Sequence, residues 1–235
     1  MTVITCGAIA IHWLPPEIEI NDDELKQWIL AEEWTTAQTF KASRRRLEYL
    51  RSRFLVRQLT ASREPLPADV NGNPSWPEGW VGSITHKDGF VGVALLPQTA
   101  WLSVGIDVED PRRMQAHFAS KILGDNECEQ VKQQCEIANL DFNLGLTCCF
   151  SFKESIYKAI YPLGLRPFYF HDAHIDTVEV HNCETNKLSG RISASLKINA
   201  SSHTPAGTSV HGNFCLINSG DRHFILTTVG VGRSN

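Results

Sequence analysis

Two carboxylates separated by one residue are the strongest chemical feature of the sequence. Asp107 and Glu109 stand at the end of the apolar run Val104–Val108. Successive side chains of a strand alternate between its faces, so both carboxylates point the same way, about 6.5–7 Å apart along the backbone. Like charges this close favour a cation between them, and hard oxygen ligands suit Mg²⁺, which shares its ligands with substrate phosphates. The alternative is an acidic strand end exposed to solvent.

A third carboxylate lies on a predicted helix that includes Phe150–Ala159. Glu154 and Lys158 are four residues apart, which makes them neighbours on one helix face. As an isolated surface pair they contribute about 0.3–0.5 kcal/mol to stability. Beside the first two acids, they complete a site with three carboxylates and a lysine that can bind phosphate.

A short predicted strand, Val81–Thr85, ends in a hydroxyl and an imidazole. The Thr85 hydroxyl, the His86 ring and the backbone N–H groups of the turn suit phosphate oxygens, more so if the imidazole is protonated. A single histidine after a strand is more often a structural hydrogen-bonding group, and that alternative stays open.

The charge of the chain is distributed unevenly. The 235 residues carry a formal charge of −4, yet residues 41–63 contain eight lysines and arginines against one acid, Glu48. A basic segment on a net-acidic chain indicates a specific anionic partner rather than general nucleic-acid binding. On the helix predicted there, Arg46 and Arg53 share a face and Arg45 lies beside it; the alternative is a solvated basic face.

Composition excludes several classes of protein. With 42% hydrophobic and 20% charged residues, the chain is typical of a globular protein, and no apolar run approaches the roughly 20 residues of a membrane span. The first residues show no basic region followed by a long apolar one, so no signal peptide is predicted. Seven cysteines without a Cys-x-x-Cys motif argue against a disulfide framework and a zinc knuckle, and favour the cytoplasm.

The elements that must position these residues are predicted from apolar periodicity and from Gly/Pro punctuation. We expect a strand in the first dozen residues, two helices within 21–62, strands at 81–85, 90–95 and 102–108, helices at 112–138 and 142–160, and four tail strands after 168. Each half then supplies strands and helices. The prediction is an α+β chain of two similar lobes, residues 1–103 and 104–235, with the site between them.

Several motifs together resemble a known family. They are Gly72–Pro77, Gly82–His86, Gly105–Glu109, Phe150–Ala159 and Arg166–Ala173. In order and spacing they resemble the 4′-phosphopantetheinyl transferase superfamily. The likeness is greatest to the surfactin-type class, in the branch of the enterobactin synthase component D and the broad-range pseudomonad enzymes.

This resemblance implies a fold and a reaction. The fold would be a pseudo-dimer of two α+β lobes with coenzyme A between them. The enzyme would transfer the phosphopantetheine arm of coenzyme A to a serine of an apo acyl or peptidyl carrier protein, releasing adenosine 3′,5′-bisphosphate. The carrier is left open among those of fatty acid, polyketide, siderophore peptide and polyunsaturated lipid synthases. A chain with both lobes has no need to dimerise, so a monomer is expected.

The resemblance also implies roles for individual residues. Magnesium ligands, with Mn²⁺ as the alternative ion, would be Asp107, Glu109 and Glu154. Coenzyme A phosphates would meet Thr85, His86, Lys158, Arg53 and, less certainly placed, Arg45 or Arg46. Lys158 and His86 would offset charge during transfer. Glu154 would accept the serine proton, directly or through a water held by the metal.

Two departures from the family pattern bear on coenzyme A binding. Asn73 stands where many relatives have a basic residue, which puts one adenine-side contact in doubt, and Ser52 replaces the usual glycine before Arg53.

Two other functions stay open at this point. A metal-dependent phosphodiesterase or nuclease with the same acids would hydrolyse nucleotides without an acceptor protein. A non-catalytic coenzyme A-binding protein would tolerate loss of the metal acids.

Overall fold

Two antiparallel sheets packed face to face form the inner layers of the molecule. The computed structural model describes residues 1–18, 20–164, 166–184 and 187–233. The first sheet has the order β1-β2-β4-β3 and consists of β1 (Thr2–Cys6), β2 (Ile9–Leu14), β3 (Trp80–Lys87) and β4 (Phe90–Pro97). The second has the order β5-β9-β8-β7-β6 and consists of β5 (Trp101–Glu109), β6 (Ala173–Glu184), β7 (Lys187–Leu196), β8 (Ser209–Ser219) and β9 (Arg222–Gly232).

Helices cover the outer face of each sheet. The first sheet carries α1 (Asp22–Trp28), α2 (Ala31–Gln38) and α3 (Ser43–Thr60). The second carries α4 (Ala119–Ile122), α5 (Asp125–Ile137) and α6 (Phe142–Gly164). None of the helices in the described ranges combines the length and the apolar character that a membrane crossing requires. The mixed α+β fold class is therefore confirmed, with each half of the chain building one sheet and its helices.

Three apolar clusters hold the four layers together. Between the sheets, Ile11 and Phe90 pack against Ile106 and Leu226, all with no exposed surface. The other two clusters lie under α1–α3 and under α5–α6. Burial of apolar surface, at roughly 25 cal/mol per Å², is what joins the two halves. Residues of both halves can therefore share one site.

Two predictions for the N-terminal half are wrong in detail. The first dozen residues form a hairpin rather than one strand, because Gly7 turns the chain with φ +62° between β1 and β2. Residues 21–62 form three helices rather than two. The extra break falls between α1 and α2, where Ile29 and Leu30 are extended (ψ 132° and 154°) and Glu33 accepts the Leu30 N–H.

Two predictions for the C-terminal half also need correction. The helix predicted over 112–138 is interrupted, with single 3₁₀ turns at Pro111–Arg113 and Ala116–Phe118 before α4 and α5. Helix α6 continues beyond residue 160 to Gly164 and includes Pro162. The division at 103/104 stays a prediction; it falls within β5, and residues 234–235 of the predicted second lobe lie outside the described residues.

Candidate active site

A glycine lets strand β5 and helix α6 approach closely enough to share a site. A Cβ atom on Gly105 would lie 1.9 Å from the carbonyl oxygen of Ser155 and 2.7 Å from the backbone nitrogen of Ala159. No other residue type fits against the helix backbone here. The contact places Lys158 of α6 beside the carboxylate of Asp107 on β5.

Asp107 lies at the centre of the site and is 6% exposed. Its Oδ1 atom accepts a hydrogen bond from Lys158 Nζ at 2.8 Å and another from the Thr85 hydroxyl at 3.4 Å. Lys158 also donates to the Ile106 carbonyl at 3.0 Å. The second carboxylate oxygen, Oδ2, is buried and has no hydrogen-bond partner within the described residues. A buried carboxylate oxygen without a partner is costly, and a bound cation would satisfy it.

Glu109 points to the same side of β5 as Asp107, as the strand alternation predicts. Its Oε2 atom contacts Lys87 Nζ. Burial raises the pKa of the Glu109 carboxyl to about 7, with a further contribution from the charge of Asp107; Lys87 and Lys158 oppose the shift only in part. In the metal-free protein this carboxyl is therefore desolvated and short of positive charge.

Glu154 is the third acid and faces the other two from helix α6. Burial and then the nearby Asp107 charge raise the pKa of its carboxyl. It has no hydrogen-bond or ion-pair partner in the described part of the chain. Lys158, which the helix period places four residues further on, pairs with Asp107 instead. Glu154 is thus a half-buried, unpaired carboxyl beside a lysine, as a proton acceptor or a metal ligand requires.

The donor set fits a hard divalent cation. The charge of Asp107 acts on both Glu109 and Glu154, one buried oxygen of Asp107 has no partner among the described residues, and burial and this repulsion raise the pKa values of Glu109 and Glu154. Among the described residues, no three acidic, histidine or cysteine side chains stand close enough to hold a metal together. Two of the three carboxyl groups are instead ion-paired with lysines: Asp107 with Lys158, and Glu109 with Lys87.

Thr85 and His86, adjacent in the sequence, serve opposite faces of β3. Thr85 is 1% exposed and points toward β5, where its hydroxyl also accepts the Val108 N–H at 3.0 Å. His86 points toward helix α3, where Nδ1 lies 3.2 Å from Glu48 Oε2 and Nε2 contacts the Arg45 guanidinium. Since arginine only donates, Nε2 accepts and Nδ1 carries the proton.

A cavity of about 220 Å³ opens between the two halves of the chain. Its basic lining residues are Arg45, Arg53, His86 and Lys158. Helix α3 contributes the first two, and α6 contributes the last together with Tyr157 and Tyr161. Asn73, one of the two departures from the family pattern, lines this cavity, as does Ser52, the other.

The Arg53 guanidinium is held in place before any ligand binds. It is 7% exposed, stacks on the Tyr49 ring with its central carbon 3.8 Å from the ring centroid, and donates to the Ser52 hydroxyl at 3.0 Å. Burial lowers the pKa of Arg53. A desolvated guanidinium that faces a cavity is suited to a phosphate group.

Arg46 is not among the residues that line this cavity, and its Nε atom is buried without a hydrogen-bond partner in the described ranges. The face that α3 presents instead contains Arg45 and Arg53, eight residues apart. The sequence predicted that Arg46 and Arg53, seven residues apart, share a face. Separations of seven and eight residues both correspond to about two helical turns, so the helix period does not distinguish Arg46 from Arg45 as the residue that shares a face with Arg53.

Sequence reasoning missed Lys87, Glu48, and the tyrosines of α6. Lys87 could have been found from the alternation of β3, because a residue two positions beyond Thr85 lies on the same face of the strand. Glu48 was noted as the single acid of the basic segment, without a partner. Its partnership with His86 needs two elements to pack and has no local signal.

A second cavity, of about 390 Å³, begins at Glu154 and Tyr157. Aromatic side chains supply much of its wall, namely those of Phe168, Tyr169 and Phe170. Tyr157 lines both cavities, and Glu154 is the proposed acidic ligand that lines the second.

Family models match most of the chain. The model of the 4′-phosphopantetheinyl transferase N-terminal domain matches residues 32–96. The model of the 4′-phosphopantetheinyl transferase superfamily matches residues 103–214. The two matches lie in the first and the second half of the chain, and together they include the site residues described above.

Individual relatives agree with the family models. The chain is 30% identical to the 4′-phosphopantetheinyl transferase Npt of Nocardia iowensis over 172 residues, which cover 72% of this chain and 74% of that protein. It is 30% identical to the 4′-phosphopantetheinyl transferase PptT of Mycobacterium tuberculosis over 192 residues, covering 80% and 79%. With the enterobactin synthase component D of Salmonella typhi it shares 35% identity over 86 residues, covering 37% and 34%.

Among solved structures, the chain is similar to the holo-[acyl-carrier-protein] synthase of Thermotoga maritima, with 24% identity and a TM-score of 0.37 over 56% of this chain and 63% of that one. The assignment rests on the family models and the two relatives that match along most of their length. The chain belongs to the 4′-phosphopantetheinyl transferase superfamily.

Proposed function

We propose that this chain transfers the 4′-phosphopantetheine arm of coenzyme A to a serine hydroxyl of an apo carrier protein, releasing adenosine 3′,5′-bisphosphate. The observation that carries the proposal is one cavity lined by basic residues of both halves, one of which, Lys158, is ion-paired with the carboxylate of Asp107. Family membership supplies the reaction class, and the site supplies groups suited to each part of it.

The cavity of about 220 Å³ suits the phosphorylated adenosine end of coenzyme A. Arg53, preset by its stack on Tyr49, would bind the 3′-phosphate, with Arg45 and His86 beside it. Lys158 would face the pyrophosphate. Charge-assisted hydrogen bonds of this kind are about twice as strong as neutral ones.

Asp107, Glu109 and Glu154 would hold Mg²⁺, or Mn²⁺ as the alternative. When bound, the ion neutralises charge on the pyrophosphate and polarises its oxygens. Within the described part of the chain, Oδ2 of Asp107 and the carboxyl of Glu154 have no hydrogen-bond partner, and this free acceptor capacity supports the assignment.

The protein's own residues account for the remaining chemistry. The serine oxygen forms a bond to the β-phosphorus, and the bond from that phosphorus to the bridging oxygen breaks. Lys158 offsets the charge that develops on the β-phosphate and on the leaving adenosine phosphate, and His86 would add to this once its Nε2 is protonated and turns from Arg45 to a phosphate. Glu154, whose raised pKa makes it a better base than an ordinary glutamate, accepts the serine proton.

The second cavity offers a place for the uncharged parts of the reactants. Its aromatic wall at Phe168–Phe170 begins at Glu154, where the serine must arrive. We assign this groove to the pantetheine arm, because apolar and aromatic surfaces favour an uncharged, extended chain.

Finer assignments follow the same reasoning. We place the enzyme in the surfactin-type class, in the branch of the enterobactin synthase component D and the broad-range pseudomonad enzymes. Both halves of the chain supply lining residues of the cavity, which supports a monomer. All seven cysteines are free thiols, which supports a reducing cytoplasm. We keep the division into lobes at residues 1–103 and 104–235.

The test is transfer to a carrier protein. The enzyme is incubated with coenzyme A, Mg²⁺ and each of several apo carriers, and the intact carrier is weighed by mass spectrometry. A gain of one phosphopantetheine is expected. No gain with any carrier would refute the proposal, and release of adenosine phosphates from coenzyme A without a carrier would favour a phosphodiesterase.

A paired variant tests the acidic site. Asp107→Ala should abolish transfer while the circular dichroism spectrum remains that of a folded protein. Glu136→Ala, at an exposed acid of α5, is the matched control and should keep full activity. Full activity of Asp107→Ala at limiting Mg²⁺ would show that the metal assignment is wrong.

A further inference from the structure

Lys87 is the residue of this site to which neither the sequence motifs nor the proposed mechanism gives a role. It follows Thr85 by two residues on β3 and therefore points to the same side, toward β5. Ser83 and Thr85 each accept a backbone N–H of β5, at 3.1 and 3.0 Å, and at the next step along this face Lys87 Nζ contacts Glu109 Oε2. The packing of β3 against β5 thus places the Lys87 ammonium group in contact with Glu109, a proposed metal ligand.

The two lysines of the site are held very differently. Lys158 donates to Asp107, to the Ile106 carbonyl and to the Thr85 hydroxyl, so three acceptors fix it. Among the described residues Lys87 has one ion-pair contact, to Glu109, and a quarter of its side chain is exposed. A long side chain with one partner and access to solvent can leave that partner at little cost.

Open space lies beside Lys87 for a side chain displaced from Glu109. Lys87 and Glu109 both line an open cavity of about 340 Å³, which is also bordered by His86, by Glu48 and Asp88, and by three arginines. Glu48 and Asp88 are already paired with Arg44, His86 and Arg113. The cavity therefore offers a displaced Lys87 side chain open space rather than a new partner.

A divalent ion and an ammonium group at one carboxylate repel each other, so each weakens the binding of the other. We propose that Lys87 is a resident counter-cation which competes with the divalent metal for Glu109. It stabilises the Glu109 carboxylate of the metal-free enzyme, and the ion must either displace it from Oε2 or bind against its charge. This inference rests on the proposed function, in which Glu109 is a metal ligand.

The experiment measures metal binding directly, without coenzyme A or carrier. Mn²⁺ is titrated into the full-length protein at pH 8, free ion is followed by electron paramagnetic resonance, and Mg²⁺ binding is measured by calorimetry. Lys87→Met should bind either ion about tenfold more tightly, because one competing charge is gone. Lys87→Arg, which keeps the charge, should resemble the wild type.

Two controls make the result specific. Lys132→Met removes a lysine that is ion-paired with Glu129 on the exposed face of α5, and should leave metal affinity unchanged. The double variant Lys87→Met/Glu109→Gln should bind no more tightly than Glu109→Gln alone, because the competition acts through Glu109. Lys87→Gln should reproduce the gain, so that a folding defect in one variant does not decide the outcome.

The possible failures are distinguishable. If the wild type binds the ion and neither Lys87 variant binds it more tightly, this inference is overturned and the proposed function stands. If neither the wild type nor the variants show saturable binding, both this inference and the metal assignment of the proposed function are overturned.

Discussion

Replacing Gly105 with alanine tests the contact on which the site depends. The added Cβ would lie 1.9 Å from the Ser155 carbonyl oxygen, whereas ordinary contacts of this kind begin at 3.4 Å. Strand β5 and helix α6 must therefore separate locally by about 1.5 Å. The obstructing atoms belong to the helix backbone, so no side-chain rotation relieves the clash.

Gly105→Ala should lower both the stability of the protein and its rate of catalysis. Overpacking of a well-packed interior costs about 1–3 kcal/mol, and a rigid backbone obstacle places Gly105→Ala at the upper end. At roughly 2–4 °C per kcal/mol for a chain of this size, the melting temperature should fall by about 6–12 °C. A shift of about 1 Å between Lys158 and Asp107 should lower kcat about 100-fold.

Gly232→Ala is the matched control. Gly232 lies on β9 of the same sheet, and a Cβ there would meet nothing within 4 Å. This variant should remain within about 0.5 kcal/mol of the wild type and keep its activity. Thermal unfolding by circular dichroism and carrier transfer per folded molecule are measured for both. If Gly105→Ala melts and turns over like Gly232→Ala, the close contact between β5 and α6 is not what aligns the site.

Three further predictions concern individual groups. Because the pKa of Glu109 is raised from 4.5 to about 7, its neutral form contributes up to about 3 kcal/mol to the stability of the metal-free protein below pH 4.5. That contribution is lost as the pH rises to about 7. The free energy of unfolding, measured by urea unfolding in EDTA, should therefore fall with pH over this range, and Glu109→Gln should remove this slope. Arg53→Met should weaken coenzyme A binding about 10–100-fold by calorimetry, and Arg53→Lys should not restore it, because a lysine cannot stack flat on Tyr49. Lys153→Met should cost about 3–5 kcal/mol in urea unfolding, since it strands the buried carboxylate of Glu127, 2.7 Å away; adding Glu127→Gln should recover part of the loss.

Local patterns in the sequence were sufficient for the chemistry that depends on one element. The alternation of β5 correctly predicted that Asp107 and Glu109 share a side, and the helix around Glu154 and Lys158 formed where the apolar period indicated it. Both follow from backbone geometry, which repeats every 2 or 3.6 residues whatever lies nearby. The α+β class followed from the same periods.

Only the tertiary structure decided which of these groups meet. Lys158 contacts Asp107 rather than its helical neighbour Glu154, Lys87 contacts Glu109, and Arg45 rather than Arg46 lines the cavity. Each of these placements depends on how two or more elements pack together, which no residue period encodes. For Lys158 and Asp107, the close approach of α6 to β5 is what Gly105 permits. The sequence by itself therefore determined the kinds of groups available and the element that carries each, while packing between the halves determined the site.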